Sequence, residues 1–229
     1  MKIHRLLPIR RPFAQAFTLI ELLVVIAIIA LLAALSIGAF TMAMQTSARN
    51  RTTATLHAVV SALERYKEKN GEYPEATDTS GSQSFGDVTM RTGGAAMLYQ
   101  AITGDGSDAI KIGTGSATSS SGTVADANKE FTINGDFIPT KDGSGTWKAK
   151  LNSTFVTGDK FLIVDGFGHP FQYDKAAVST GGAGGTPPTT VNPTYDVWSF
   201  ANATNSGEVA YDLSTKQNNT KNAAWIKNW

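Results

Sequence analysis

The sequence predicts an α+β fold: one long N-terminal helix, membrane-suited in its first half and amphipathic in its second, packed on a small antiparallel sheet. Three observations predict it. Leu22 to Ala39 contains no charged residue, and only Ser36 in it is polar. Leu56, Val59, Val60, Leu63 and Tyr66 then follow one another at helical spacing. Beyond residue 160 the pattern changes to short β-branched and aromatic runs bounded by Gly, Pro, Asn and Asp. On this basis the 229 residues divide into a basic leader (1–16), a membrane-length helix (17–40) and its amphipathic continuation (41–74). A variable, partly low-complexity insertion (75–159) and a β region (160–229) complete the chain.

The leader is set apart by charge. It carries Lys2, Arg5, Arg10 and Arg11 and no acid, whereas the whole chain has a formal net charge of only +1. Without those four the 20 basic residues fall to 16, against 19 acidic ones. No global basic field calls for nucleic acid, and no nucleic-acid partner is expected. The absence of cysteine excludes a disulfide framework, a thiolate metal site and a cysteine nucleophile.

Phe17–Phe40 is long enough to span a bilayer: its 24 residues give about 36 Å of helix against a hydrocarbon core of about 30 Å. Its one charge is Glu21, and a charge within such a segment costs about 2.5–3.5 kcal/mol on insertion scales. A secretory signal peptide fits poorly, because the apolar run is too long and no small-residue cleavage site closes it. A plain N-terminal anchor with its basic end in the cytoplasm fits the length and the charge asymmetry. It gives neither Glu21 nor the abrupt Ala16–Phe17 junction anything to do.

The order of basic leader, small residue, Phe17-Thr18-Leu19-Ile20-Glu21 and apolar helix resembles the class III signal of type IV pilins and type II secretion pseudopilins. The resemblance implies a pilin-like fold and cleavage by a prepilin peptidase between Ala16 and Phe17. It also implies N-methylation of the new Phe17 terminus and retention of the helix. Alanine stands at 16 where the family usually has glycine, which implies slower processing. An ionised carboxylate in lipid needs a partner. In this family that partner is the amine of a neighbouring subunit, so Phe17 and Glu21 are the implied assembly residues.

The helix is expected to run to Asn70, where Asn70-Gly71 and then Pro74 end it. Glu64, Arg65, Lys67, Glu68 and Lys69 are expected on its solvated side. Gly38 stands where pseudopilins usually have proline; glycine costs a helix about 1 kcal/mol against alanine, which makes it a candidate bending or melting point. Residues 75–92 read as polar loop, and 93–106 as one short helix burying Ala96, Leu98, Tyr99 and Ile102. Residues 104–128 are low-complexity. The "GDGSD" within them lacks EF-hand spacing, and "GTGSA" lacks the Gly-Lys-Ser/Thr ending of a phosphate loop. Phe161–Val164 and Phe171–Tyr173 around Asp165–Gly168 read as a hairpin, with Pro170 opening the return strand. Residues 194–201 supply a third strand that alternates Tyr195, Val197 and Ser199 against Asp196, Trp198 and Phe200.

The stretches Asp165-Gly-Phe-Gly-His-Pro-Phe-Gln-Tyr173, Tyr195-Asp-Val-Trp-Ser-Phe-Ala-Asn202 and Trp225-Ile-Lys-Asn-Trp229 are similar to the major pseudopilin. With "ALERYKEKNGEYP" at 62–74 they point to a pseudopilus subunit of a type II secretion system. A type IV pilus subunit for adhesion, twitching or DNA uptake is the alternative; many of those carry a C-terminal disulfide loop. The resemblance implies as partners a prepilin peptidase, copies of the chain and other pilins, an inner-membrane assembly platform and the lipid bilayer. It implies a single-pass bacterial inner-membrane protein with a cytoplasmic N-terminus and a periplasmic head, passing into a filament. It further implies a candidate calcium loop through Ser199, Asn202, Glu208 and Asp212, although asparagine replaces the family's aspartate at 202 and a plain turn is the competing reading. No enzyme is expected: His4, His57 and His169 have no ligand spacing, and no nucleophile elbow or HExxH occurs. A membrane-tethered periplasmic enzyme or solute binder would need its site from 75–159.

Overall fold

The computed structural model describes residues 17–106, 108–111, 132–141, 143–144, 147–148, 154–157, 160–177 and 189–229. The basic leader with Ala16, most of the low-complexity stretch and most of the Gly/Pro/Thr-rich stretch at 179–190 lie outside them. The fold is α+β and pilin-like in plan: a long N-terminal helix and small antiparallel sheets.

Helix α1 spans Leu19–Asn70. It stops where the sequence places the stop: Gly71 takes φ 85°, and its N–H donates to Lys67 O at 2.7 Å. Gly38 lies within the helix, and a Cβ there would meet nothing within 4 Å, so close packing does not require glycine.

The chain divides into two units, 1–44 and 45–229. In the first, the large apolar side chains from Phe17 to Met44 are all exposed. The second holds the core. Its share of α1 buries a stripe of Ala48, Thr52, Leu56, Val59, Ala62 and Leu63, the spacing of one helix face. Helix α2, Gly93–Thr103, is buried almost all round and ends at Gly104 with φ 71°.

The strands differ from expectation in five respects. Residues 75–92 are not all loop: β1 (Ser82–Phe85) and β2 (Val88–Arg91) pair across the two-residue turn Gly86-Asp87. Next, the pair β3 (Thr140–Lys141) and β4 (Trp147–Lys148) precedes β5 (Thr154–Thr157) and β6 (Lys160–Ile163), which pair with each other. The anticipated hairpin turn forms, with the antiparallel bridge Val164–Pro170 flanked by Asp165 N to His169 O at 2.8 Å and Phe171 N to Ile163 O at 3.0 Å, but it opens into a corner because β6 belongs to one sheet and β7 (Gln172–Lys175) to another. The three-stranded sheet has order β7–β8–β9, with β8 at Tyr195–Ser199 and the C-terminal Ile226–Lys227 as β9. Finally, β8 is buried at every position rather than on alternate ones.

Burial on both faces follows from what covers β8. Tyr195 and Val197 join Leu56, Val59 and Leu63 of α1 and Met97 and Ile102 of α2 in the main core. Trp198 and Phe200 join Val88, Met90 and Trp225 in a second, aromatic cluster. There Phe200 meets Trp225 edge-on at 4.8 Å, and Trp198 stacks on Trp225 at 6.4 Å.

Candidate functional site

The start of α1 is a reciprocal cap. Thr18 N and Thr18 Oγ1 each donate to Glu21 Oε2 at 2.8 Å, while Glu21 N donates to Thr18 Oγ1 at 3.3 Å. This is a capping box, which satisfies backbone donors that a helix start leaves open. The Thr-x-x-Glu spacing ahead of an apolar run was its legible sign, and sequence reasoning passed over it in favour of assembly. Phe17, immediately before the cap, is 81% exposed.

The polar side chains further along are satisfied within the helix. Ser36 Oγ donates to Leu32 O at 2.8 Å and Thr41 Oγ1 to Gly38 O at 2.9 Å. Hydroxyls that bond back to the helix's own carbonyls meet what a hydrocarbon environment demands of polar groups. α1 is long and apolar enough at its N-terminal end to cross a membrane, and no residue of that stretch is buried.

In the head, the Asp165 corner organises the residues around Ser199. Asp165 Oδ1 accepts from Phe167 N at 2.8 Å and His169 N at 2.9 Å, and Oδ2 accepts from Ser199 Oγ. His169 Nδ1 lies 2.7 Å from Ala201 O, and Ala201 N donates to Ser199 Oγ at 2.8 Å. Ala201 adopts φ 52° to do so. Burial pushes the Asp165 carboxyl up, against the hydrogen bonds that hold it down. Gly166 is fixed to α1: its N–H donates to Thr52 Oγ1 at 2.9 Å, and a Cβ would come within 2.2 Å of Ala48 O.

The four candidate calcium ligands do not converge. Ser199 is buried and committed to Asp165. Glu208 accepts from Thr204 N at 2.7 Å and Asn205 Nδ2 at 2.8 Å, closing its own turn. Asp212 caps helix α3, Leu213–Lys216, through Thr215 N at 2.8 Å; the bond from Ser214 Oγ, with that from Thr215 N, pulls its carboxyl down to about 2. Asn202 and Glu208 line one cleft of about 610 Å³ together with Lys221, whereas Asp212 lines another of about 630 Å³. Among the described residues no three His, Cys, Asp or Glu side chains gather to hold a metal ion.

Two polar groupings escaped sequence reasoning. Glu64 is exposed on α1 as expected, and it also accepts from Tyr73 Oη at 2.9 Å and Tyr195 Oη at 2.9 Å. Its carboxylate ties α1 to β8, and burial together with that hydrogen bond raises the Tyr195 phenol. Lys216, which composition assigns to the surface, is fully buried between Asp174 and Asp196.

Residues 11–43 match the family model of the prokaryotic N-terminal methylation motif. No curated protein and no solved structure matches the chain. The matched stretch takes in the Ala16–Phe17 junction, the Thr18–Glu21 cap and the exposed apolar helix as far as Ala43. This motif occurs in type IV pilins and pseudopilins, and it implies processing by a prepilin peptidase and assembly with other pilins. The chain thus carries a prepilin-type methylation motif on a pilin-like α+β fold.

Proposed function

We propose that the chain is a structural subunit, not an enzyme, that is cleaved between Ala16 and Phe17, methylated at Phe17 and polymerised into the pseudopilus of a type II secretion system. The observation that carries the proposal is the methylation motif over residues 11–43, with Glu21 as the one charge in an exposed apolar helix. An apolar face of that kind cannot remain in water, and lipid or other copies of the helix would cover it. In this reading the helix first anchors the subunit in the inner membrane with its head in the periplasm. It then exchanges lipid for neighbouring helices through an assembly platform.

The preference for a pseudopilus over a surface pilus rests on the likeness of 165–173, 195–202 and 225–229 to the major pseudopilin. Mass spectrometry of the mature chain tests the common part, with N-methylated Phe17 as the expected terminus. An intact Met1 or a cut beyond Gly38 overturns it. Deleting the gene tests the finer part: loss of secreted proteins with surface filaments intact is expected, and the reverse outcome assigns the chain to a surface pilus.

A further inference from the structure

Lys216 is the least expected side chain in the head. It sits on α3 with no solvent exposure, and its Nζ contacts Asp174 Oδ2 directly. Asp196 Oδ2 lies 3.3 Å from the same nitrogen, Thr189 O accepts from it at 3.0 Å, and the Trp198 ring centroid is 4.2 Å away. Asp196 is itself fully buried, and its two oxygens are held by Val191 N at 2.8 Å and Asn192 N at 2.9 Å. Asp174 differs in being 18% exposed, on the wall of the cleft of about 630 Å³. One amine, one carboxyl in contact with it and a second, immobilised carboxylate thus meet in a site walled by an aromatic ring.

We infer that Lys216 and Asp174 condense into an intramolecular amide, with Asp196 as the proton carrier. The bond that forms joins Lys216 Nζ to Asp174 Cγ, and the bond that breaks joins that carbon to one of its oxygens. Two of the three ammonium protons leave with the oxygen as water. Asp196 accepts one of them from Nζ and delivers it to the departing oxygen, ending unchanged. The step requires no oxidant and no cofactor.

Two physical terms favour the step here. A buried ion pair loses hydration that its mutual attraction restores only in part, and condensation replaces both charges with a neutral amide. Fixing the two groups in contact converts a bimolecular reaction into an intramolecular one, with effective molarities that reach about 10⁵ M and beyond. The partial exposure of Asp174 on the cleft gives the released water an exit. The bond would close a covalent ring from residue 174 to residue 216, fastening α3 to β7 in a chain that has no cysteine with which to make a disulfide. It does not depend on how the N-terminal segment is used.

Intact-mass spectrometry of the full-length protein in detergent tests the inference. The expected mass is lower by one water, about 18 Da, than the sequence requires once N-terminal cleavage and methylation are counted. Fragment ions should join the peptides carrying Asp174 and Lys216. Lys216→Ala and Asp174→Ala restore the full mass and lower the melting temperature by roughly 10 °C, the scale of a lost cross-link closing such a ring. Asp196→Asn leaves both reacting groups in place and yields the uncondensed mass. Asp174→Asn reaches the wild-type mass by losing ammonia instead of water. An unreduced wild-type mass overturns the proposal and leaves an ion pair, whether or not any variant folds. A loss that persists in Lys216→Ala, or fragment ions that place it at Asp165-Gly166, assigns it to a succinimide and overturns the proposal equally.

Discussion

At the residue scale, Asp165 shows how one carboxylate builds a corner. It accepts from two backbone N–H groups of its own turn and from Ser199 on β8, so that it joins the two sheets where β6 hands over to β7. Asp165 was legible in the sequence as a turn former followed by glycine. What could not be read was its partner 34 residues away, nor that Gly166 presses on the Ala48 carbonyl. The family resemblance implied Ser199 as a metal ligand, and nothing local in the sequence reveals which neighbour claims its hydroxyl. Burial raises the folded-state pKa of Asp165 above its ordinary value of 3.8. The folded protein therefore binds this proton more tightly than the unfolded chain does, and stability declines as pH rises from about 4 through the folded value. Urea midpoints measured from pH 4 to 7 should show that decline in the wild type, and Asp165→Asn should remove this component of it. A slope unchanged in the variant would assign the pH dependence to other groups.

Elements were legible in proportion to their length and periodicity. The 52-residue α1 announces both its apolar stretch and its stop, and Asn70-Gly71 ends it where expected. The β1–β2 hairpin carried a recognisable Gly-Asp turn, yet Ser82, Gln83 and Ser84 give β1 too little apolar content to be read as a strand. β9 has only two residues, Ile226 and Lys227, and derives its strand character from pairing with β8 rather than from any local pattern. β8 itself alternates in sequence but is covered on both sides, because the second cluster of Trp198, Phe200 and Trp225 is drawn from distant segments. The helix stop offers a direct test. Gly71 has φ 85°, a region where a Cβ is strained, and nothing lies within 4 Å of the position a Cβ would take. Gly71→Ala should thus cost about 1 kcal/mol through backbone conformation alone. Chemical denaturation of the folded chain checks it. A neutral substitution would mean that the α1 terminus relaxes without cost.

For the whole molecule, the two units ask different things of the sequence. The head needs a core, and its residues from Ala48 onward supply one that a single chain can bury. The stretch from Phe17 to Met44 leaves its apolar side chains uncovered, so its order is completed only by lipid or by other subunits. Under the proposed function, Glu21 serves that second requirement. Within the chain its carboxylate closes the cap with Thr18. Apolar packing between helices is non-directional and cannot fix how far one subunit stands above the next, whereas a carboxylate paired with a neighbour's amine can. Glu21→Gln keeps an oxygen that can accept from Thr18, and so preserves the cap while removing the charge; Glu21→Ala removes both. If capping were the whole role, Glu21→Gln should assemble normally and Glu21→Ala alone should fail, at a cost to the helix of about 1 kcal/mol. If the charge sets register, both variants should insert into the membrane and be cleaved before Phe17, yet neither should form filaments. Membrane fractionation together with electron microscopy of sheared filaments separates the two outcomes. The second is expected, because a carboxylate in a membrane-length apolar helix is costly to insert and a helix cap alone can be built without a charge.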